Sequence, residues 1–173
     1  MTEKKYTEES EKTLSNVFNT ENSKTESNVF LNISEIINKV NLLDKYKKIL
    51  FYGKEDRLSK VDHGFKFNLN DTDEKTQKIL HAAMGKVTES VEILEEVFNS
   101  IKEKRELDIV NIVEELGDNM WYDTIFYREL DIKPTDVRKK NYDKLQKYRY
   151  KSGFSKDSAL NRDTEKEREG LEK

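Results

Sequence analysis

Two pairs of acidic residues share one spacing: Glu89 with Glu92, and Glu115 with Asp118. Residues three apart on a helix lie on one face with Cβ atoms roughly 5–6 Å apart, so each pair can aim two carboxylates at one point. Two such pairs facing each other would make a four-carboxylate pocket. Like charges held together repel and raise one another's proton affinity. A pocket of that kind calls for a hard cation such as Mg²⁺, which takes oxygen ligands. The chain has 35 acidic residues in 173, so the spacing alone does not single out these four and the surrounding sequence must decide.

The elements that must position these acids are helices. One is expected to begin after Asp71 or Thr72 and run to about Lys104, with an apolar stripe that includes Ile79, Leu80, Ala83, Met84, Val87, Val91, Leu94, Phe98 and Ile101. At about 100° per residue, His81, Gly85, Glu89, Glu92 and Glu96 fall on a neighbouring flank, so the acids border the core. A second is expected from about Leu107 to Leu130, turning Ile109, Ile112, Val113, Leu116, Met120, Thr124 and Tyr127 inward and carrying Glu115, Asp118, Asn119 and Tyr122 on an adjoining flank.

Upstream, apolar residues from Leu31 to Leu50 recur at threes and fours, which predicts a helix from Phe30 to near Gly53 with Ser34 as its cap. Downstream, Pro134 opens a further helix to about Tyr148, because proline is tolerated in a first helical turn. Residues 54–71 read as a polar connector with Phe65 and Phe67 tacked onto the core, and Gly153, Phe154 and Ser155 as a turn. No strand-period segment exceeds four residues. The expectation is therefore an all-α fold, a helical bundle of four to five helices over residues 29–162. Residues 1–28 are too poor in apolar side chains to offset ordering entropy and are expected to be largely disordered, with a marginal helix near Glu8 to Phe18. Residues 163–173 form a charged tail.

Composition excludes several functions. A net charge of −3, with lysines interleaved among acids, offers no basic footprint, so nucleic acid is not expected as a partner. Without cysteine there is no disulfide, thiolate metal site or cysteine nucleophile. There is no apolar signal-peptide core and no run of 18 apolar residues, which excludes a membrane partner and predicts a cytoplasmic protein.

The blocks His81-Ala82-Ala83-Met84-Gly85-Lys86-Val87-Thr88-Glu89-Ser90-Val91-Glu92 and Val110-Asn111-Ile112-Val113-Glu114-Glu115-Leu116-Gly117-Asp118-Asn119-Met120-Trp121-Tyr122 resemble the MazG-like all-α nucleoside triphosphate pyrophosphohydrolases. The likeness extends through Lys139-Lys140-Asn141-Tyr142-Asp143-Lys144-Leu145 to Gly153-Phe154-Ser155 and Asn161-Arg162-Asp163, a tail similar to that of phage-encoded members. It covers roughly residues 30–165. The resemblance implies that Glu89, Glu92, Glu115 and Asp118 are the catalytic and metal-binding residues, holding Mg²⁺ or Mn²⁺ in its place. It implies hydrolysis of a (deoxy)nucleoside triphosphate by attack of water on the α-phosphorus, giving the monophosphate and pyrophosphate. It also implies a homodimer or homotetramer that completes the bundle, at work in the cytoplasm of a host. Ser90 and Val91 depart from the pattern, since relatives have very small residues between the first two acids. The stretch Leu50-Phe51-Tyr52-Gly53-Lys54 looks like one that follows the first acidic pair in relatives, and here it lies upstream.

Several residues admit two readings. His81 is a substrate contact or base in one and a partly buried helix residue in the other. Tyr122 stacks on a base or bonds a phosphate, or is a core tyrosine. Lys144 and Arg149, with Asn141, neutralise and bind phosphate, or form an ordinary basic flank. Glu96 continues the acidic flank and is either solvated or within reach of a second ion. Trp121 reads as core or subunit contact. The alternative to an enzyme is a non-enzymatic helical nucleotide- or protein-binding module on the same scaffold.

Overall fold

A computed structural model of the chain describes residues 3–11, 23–53, 71–150, 158, 161 and 163–172. In chain order its helices are α1 (Glu3–Glu11), α2 (Ser23–Tyr52), α3 (Glu74–Glu103), α4 (Ile109–Glu129), α5 (Pro134–Lys144), which runs on into a π-helical turn (Leu145–Arg149), and α6 (Thr164–Glu172). Among the described residues there is no strand, and the fold is an all-α helical bundle. No described helix is long and apolar enough to cross a membrane.

Local chemistry fixes the ends of α3 and α4. Asp73 is extended, and its carboxylate accepts from the backbone N of Thr76 at 2.9 Å and from the Thr76 hydroxyl at 2.6 Å, capping donors that the first turn would leave unpaired. Lys104 closes α3 in the left-handed region, at φ 55. Asp108 then caps α4 by accepting from the backbone N of Asn111 at 3.1 Å. Glu96 holds the connection together. It takes both arms of the Arg105 guanidinium at 2.7 Å each and the backbone N of Asp108 at 2.7 Å. Arg105, first among these, and the Asp108 amide draw the Glu96 carboxyl down to about 2. Glu96 therefore serves the α3–α4 corner.

Residues 20–130 form one compact unit, in which α3 packs against both α2 and α4. Its fully apolar interior is small, with Ile37, Ala82 and Val91 buried and Phe30 tilted on Phe98 at 5.3 Å between ring centroids. Among the described residues of this unit the buried polar side chains are Lys47, Thr88, Glu89, Glu96, Ser100 and Glu115. The predicted faces are thus rotated. The flank of α3 with Gly85, Glu89 and Glu96 is buried, while Val87 and Ile101 from its expected apolar stripe are exposed. On α4 the reversal is fuller, because Ile109, Val113, Leu116 and Met120 face solvent and Glu115 faces inward. The cause lies in what α3 offers. Gly85 leaves room for the Tyr122 ring, which a methyl group there would overlap, so α4 docks with its Glu115–Tyr122 side.

The two ends of the chain form a second compact unit. Here α6 packs on α5 and on the π-helical turn, and the Lys140 ammonium donates to the Leu171 carbonyl at 2.8 Å. The N-terminal segment, expected to be disordered to residue 28, carries α1 and the first turn of α2. What holds α1 is polar: Asn141 Nδ2 donates to the Tyr6 hydroxyl at 2.7 Å, Gln146 Nε2 to Glu9 at 3.2 Å, and Lys5 stands over the Tyr142 ring. The tail is likewise helical as α6, with Glu167 buried. The two compact units meet in the sequence after Leu130, α2 begins at Ser23, and Ser34 lies inside it. Phe65, Phe67 and the turn at 153–155 lie outside the described residues.

Candidate functional site

Three of the four predicted carboxylates converge. Glu89 and Glu92 from α3 and Glu115 from α4 each bring one oxygen into a group whose members all lie within 4.8 Å of one another. Glu89 and Glu115 are buried and Glu92 is partly exposed, opening onto a polar groove of about 290 Å³ lined also by Asn41, Glu95, Asn99 and Asn111. Burial, and then the charge of Glu92, push the Glu115 carboxyl up to about 7. Burial and the charge of Glu89 raise Glu92 as well. Asn111 Nδ2 donates to Glu115 Oε1 at 3.2 Å and fixes that carboxyl. Asp118 is exposed and outside the group, although its charge, like that of Glu89, bears on the Tyr122 phenol.

Asn119 and Lys86 stitch the two acidic helices together. Asn119 Nδ2 donates to the Glu115 carbonyl at 3.0 Å while Ser90 Oγ donates to Asn119 Oδ1 at 3.1 Å, and Lys86 reaches Asp123 at 2.8 Å. Ser90 therefore has a partner on α4.

A lysine that the sequence reading passed over completes the cluster. Lys47 of α2 is 3% exposed, and its ammonium donates to Thr88 Oγ1 at 2.8 Å beside Asp44 and Glu89. The Thr88 hydroxyl, itself fully buried, has one proton for two acceptors, the Gly85 carbonyl at 2.8 Å and Glu89 Oε1 at 3.0 Å. Burial works to raise the Asp44 carboxyl, but hydrogen bonds from Lys48 and Lys47 outweigh it and hold Asp44 below its usual range. A signal was present. Ile37, Val40, Asp44, Lys47 and Phe51 follow one helical stripe, and a charged pair inside an apolar stripe needs a partner across the interface.

His81 belongs to a packed aromatic group beside the acids. Its ring stacks on Phe51 at 4.3 Å and 13°, meets Tyr52 and Tyr122 edge-on, and pairs through Nε2 with the Tyr52 hydroxyl at 3.0 Å. Burial, then the charge of Lys47, lower its pKa, so the imidazole is neutral at pH 7. Burial, with a hydrogen bond donated to Tyr52, raises the Tyr122 phenol. Trp121 is 70% exposed, on the outer side of α4. Asn141, Lys144 and Arg149 belong to the unit formed by the chain ends. There Asn141 bonds Tyr6, Lys144 ends α5, and Arg149 closes the π-helical turn with its guanidinium over Tyr150 at 5.2 Å.

The donor set suits a hard divalent cation. It is made of oxygen alone, two of its carboxyls are raised by burial and then by neighbouring carboxylate charge, and one is open to solvent. Compared with family models, with curated proteins and with solved structures, the chain gives no match.

Proposed function

We propose that the chain is a Mg²⁺- or Mn²⁺-dependent nucleotide pyrophosphohydrolase that cleaves a (deoxy)nucleoside triphosphate to the monophosphate and pyrophosphate. The observation that carries this reading is the convergence of Glu89, Glu92 and Glu115 within 4.8 Å, from the two sequence blocks that resemble the MazG-like enzymes. Bound there, a divalent cation supplies charge neutralisation and Lewis acidity toward phosphate oxygens. The chain's own residues prepare the site. Glu89, Glu92 and Glu115 offer the oxygens, with Asp118 at the exposed rim of the same helix. Asn111 orients Glu115, and Thr88 with Lys47 orients Glu89. Positioning and electrostatics of this kind account for most of the catalysis of phosphoryl transfer. Tyr122 and His81 are proposed as the wall on which a base rests. We place the activity in the cytoplasm.

The outer side of α4 supports self-association as a homodimer or homotetramer. Ile109, Val110, Val113, Leu116 and Met120 form an uncharged exposed stripe on the helix that carries Glu115, larger than the scattered apolar residues a monomer exposes. The same stripe favours the second reading, a non-enzymatic nucleotide- or protein-binding module, because a partner protein would also cover it. Pyrophosphate release from a panel of unmodified and modified nucleotides, with and without Mg²⁺, separates the two. The enzyme reading expects Mg²⁺-dependent release that Glu92→Gln lowers at least a hundredfold at unchanged helix content. No release from any nucleotide by the folded chain would leave the binding module.

A further inference from the structure

The buried ammonium of Lys47 stands where a cation would be expected. Its three N–H groups face three oxygens: Thr88 Oγ1 at 2.8 Å, Asp44 Oδ1 at 3.1 Å and Glu89 Oε1 at 3.5 Å. The Tyr122 ring lies 5.6 Å away on another side and adds attraction for a positive charge. Asp44 has a second lysine of its own, Lys48 at 2.5 Å, so its charge is balanced within α2. What remains is three carboxylates, Glu89, Glu92 and Glu115, against the one ammonium of Lys47. With all of them ionised the cluster carries two net negative charges, which a single divalent cation balances.

We propose that Lys47 is a tethered cation that takes the place of a second metal ion, so that Glu89, Glu92 and Glu115 hold one divalent cation and not two. The inference rests on the reading of these carboxylates as a cation site. The ammonium fills the Asp44–Glu89 side and is locked there by Thr88, which is fully buried. The side of Glu92 and Glu115 stays open through the partly exposed Glu92. A second divalent ion sharing Glu89 would face the Lys47 charge across a few ångström of protein interior, where like charges repel strongly. Displacing Lys47 is no remedy, since a buried ammonium stripped of its partners is unfavourable.

The test uses Mn²⁺ alone as the probe, added to the full chain after chelator treatment at about pH 8, with free Mn²⁺ read by electron paramagnetic resonance. Sites in the cluster are those lost in Glu92→Gln. Wild type is expected to hold one Mn²⁺ per chain in the cluster. Lys47→Met, similar in length and uncharged, is expected to hold two, or to hold the first at least tenfold more tightly. Wild type holding two overturns the proposal and leaves the cation site intact. Folded Lys47→Met with the stoichiometry and affinity of wild type overturns it too. If wild type holds no Mn²⁺ that Glu92→Gln removes, the cation site itself falls and the proposal with it. Should Lys47→Met fail to fold, the wild-type stoichiometry decides alone.

Discussion

Replacing Glu115 with Gln removes the group in which repulsion within the cluster is concentrated. Glu115 is 6% exposed, and burial together with the charge of Glu92 pushes its carboxyl from 4.5 up to about 7. The unfolded chain releases that proton near 4.5, whereas the folded protein keeps it to about 7. The stability contributed by the neutral carboxyl is therefore present in full below about 4.5 and lost as pH rises through 7. At about 1.4 kcal/mol for each pH unit of difference, ionised Glu115 costs the cation-free protein on the order of 3 kcal/mol at pH 8, an upper bound because Glu92 admits solvent to the cluster. Glutamine has no proton to lose. Its Oε1 also accepts the bond that Asn111 Nδ2 makes to Glu115, so shape and hydrogen bonding are kept. Urea unfolding in chelator is expected to give similar stabilities for wild type and Glu115→Gln at about pH 4.5. Near pH 8 the variant should be the more stable, by roughly 2–3 kcal/mol. Millimolar Mg²⁺ near pH 8 should then restore wild type and act less on the variant, since binding to the native state alone stabilises it. Parallel stability curves across this pH range would refute the reasoning, for they would mean that the three carboxylates are separately solvated.

Two glycines make opposite predictions. Gly85→Ala forces a methyl group into the Tyr122 ring and is expected to destabilise by roughly 1–3 kcal/mol, as overpacking does, whereas nothing lies within 4 Å of a Cβ at Gly117, so Gly117→Ala should stabilise α4 by up to about 1 kcal/mol. Thermal melts that reverse this order would contradict the docking of α4 on α3. Met120→Glu puts a charge at the C-terminal end of the exposed α4 stripe, where Met120 is 68% exposed. Sedimentation is expected to show self-association of wild type and a monomeric variant of unchanged helix content, and a wild type that is monomeric at high micromolar concentration would count against a second copy on that face.

The boundaries of α3, α4 and α5 were legible because their signals are local. Asp73, Asp108 and Pro134 act through atoms one to three residues away, and each expected start falls within about two residues of the observed one, the usual margin for helix ends. The faces were not legible in the same way. Reading them assumed that the apolar side of a helix is the inner side, yet Val113 and Met120 point outward while Glu115 is buried. The N-terminal helix was expected only as a marginal one near Glu8 to Phe18, for a related reason: Tyr6 and Glu9 hold α1 through hydrogen bonds to Asn141 and Gln146, more than a hundred residues away, and no apolar pattern marks such contacts. The acidic pairs themselves could be read, but only as two spacings, because nothing on α3 or α4 says which carboxylate of a pair turns inward. The missing constraint lay on α2. Asp44 and Lys47 stand one turn apart in the stripe of Ile37, Val40 and Phe51, and Lys47 is as deeply buried as the apolar residues around it. Burying a charge is unfavourable unless it is paired, so a lysine in that position requires an acid on the facing helix. Glu89 is that acid, and once it is turned inward to meet Lys47, Glu92 and Glu115 come within 4.8 Å of it.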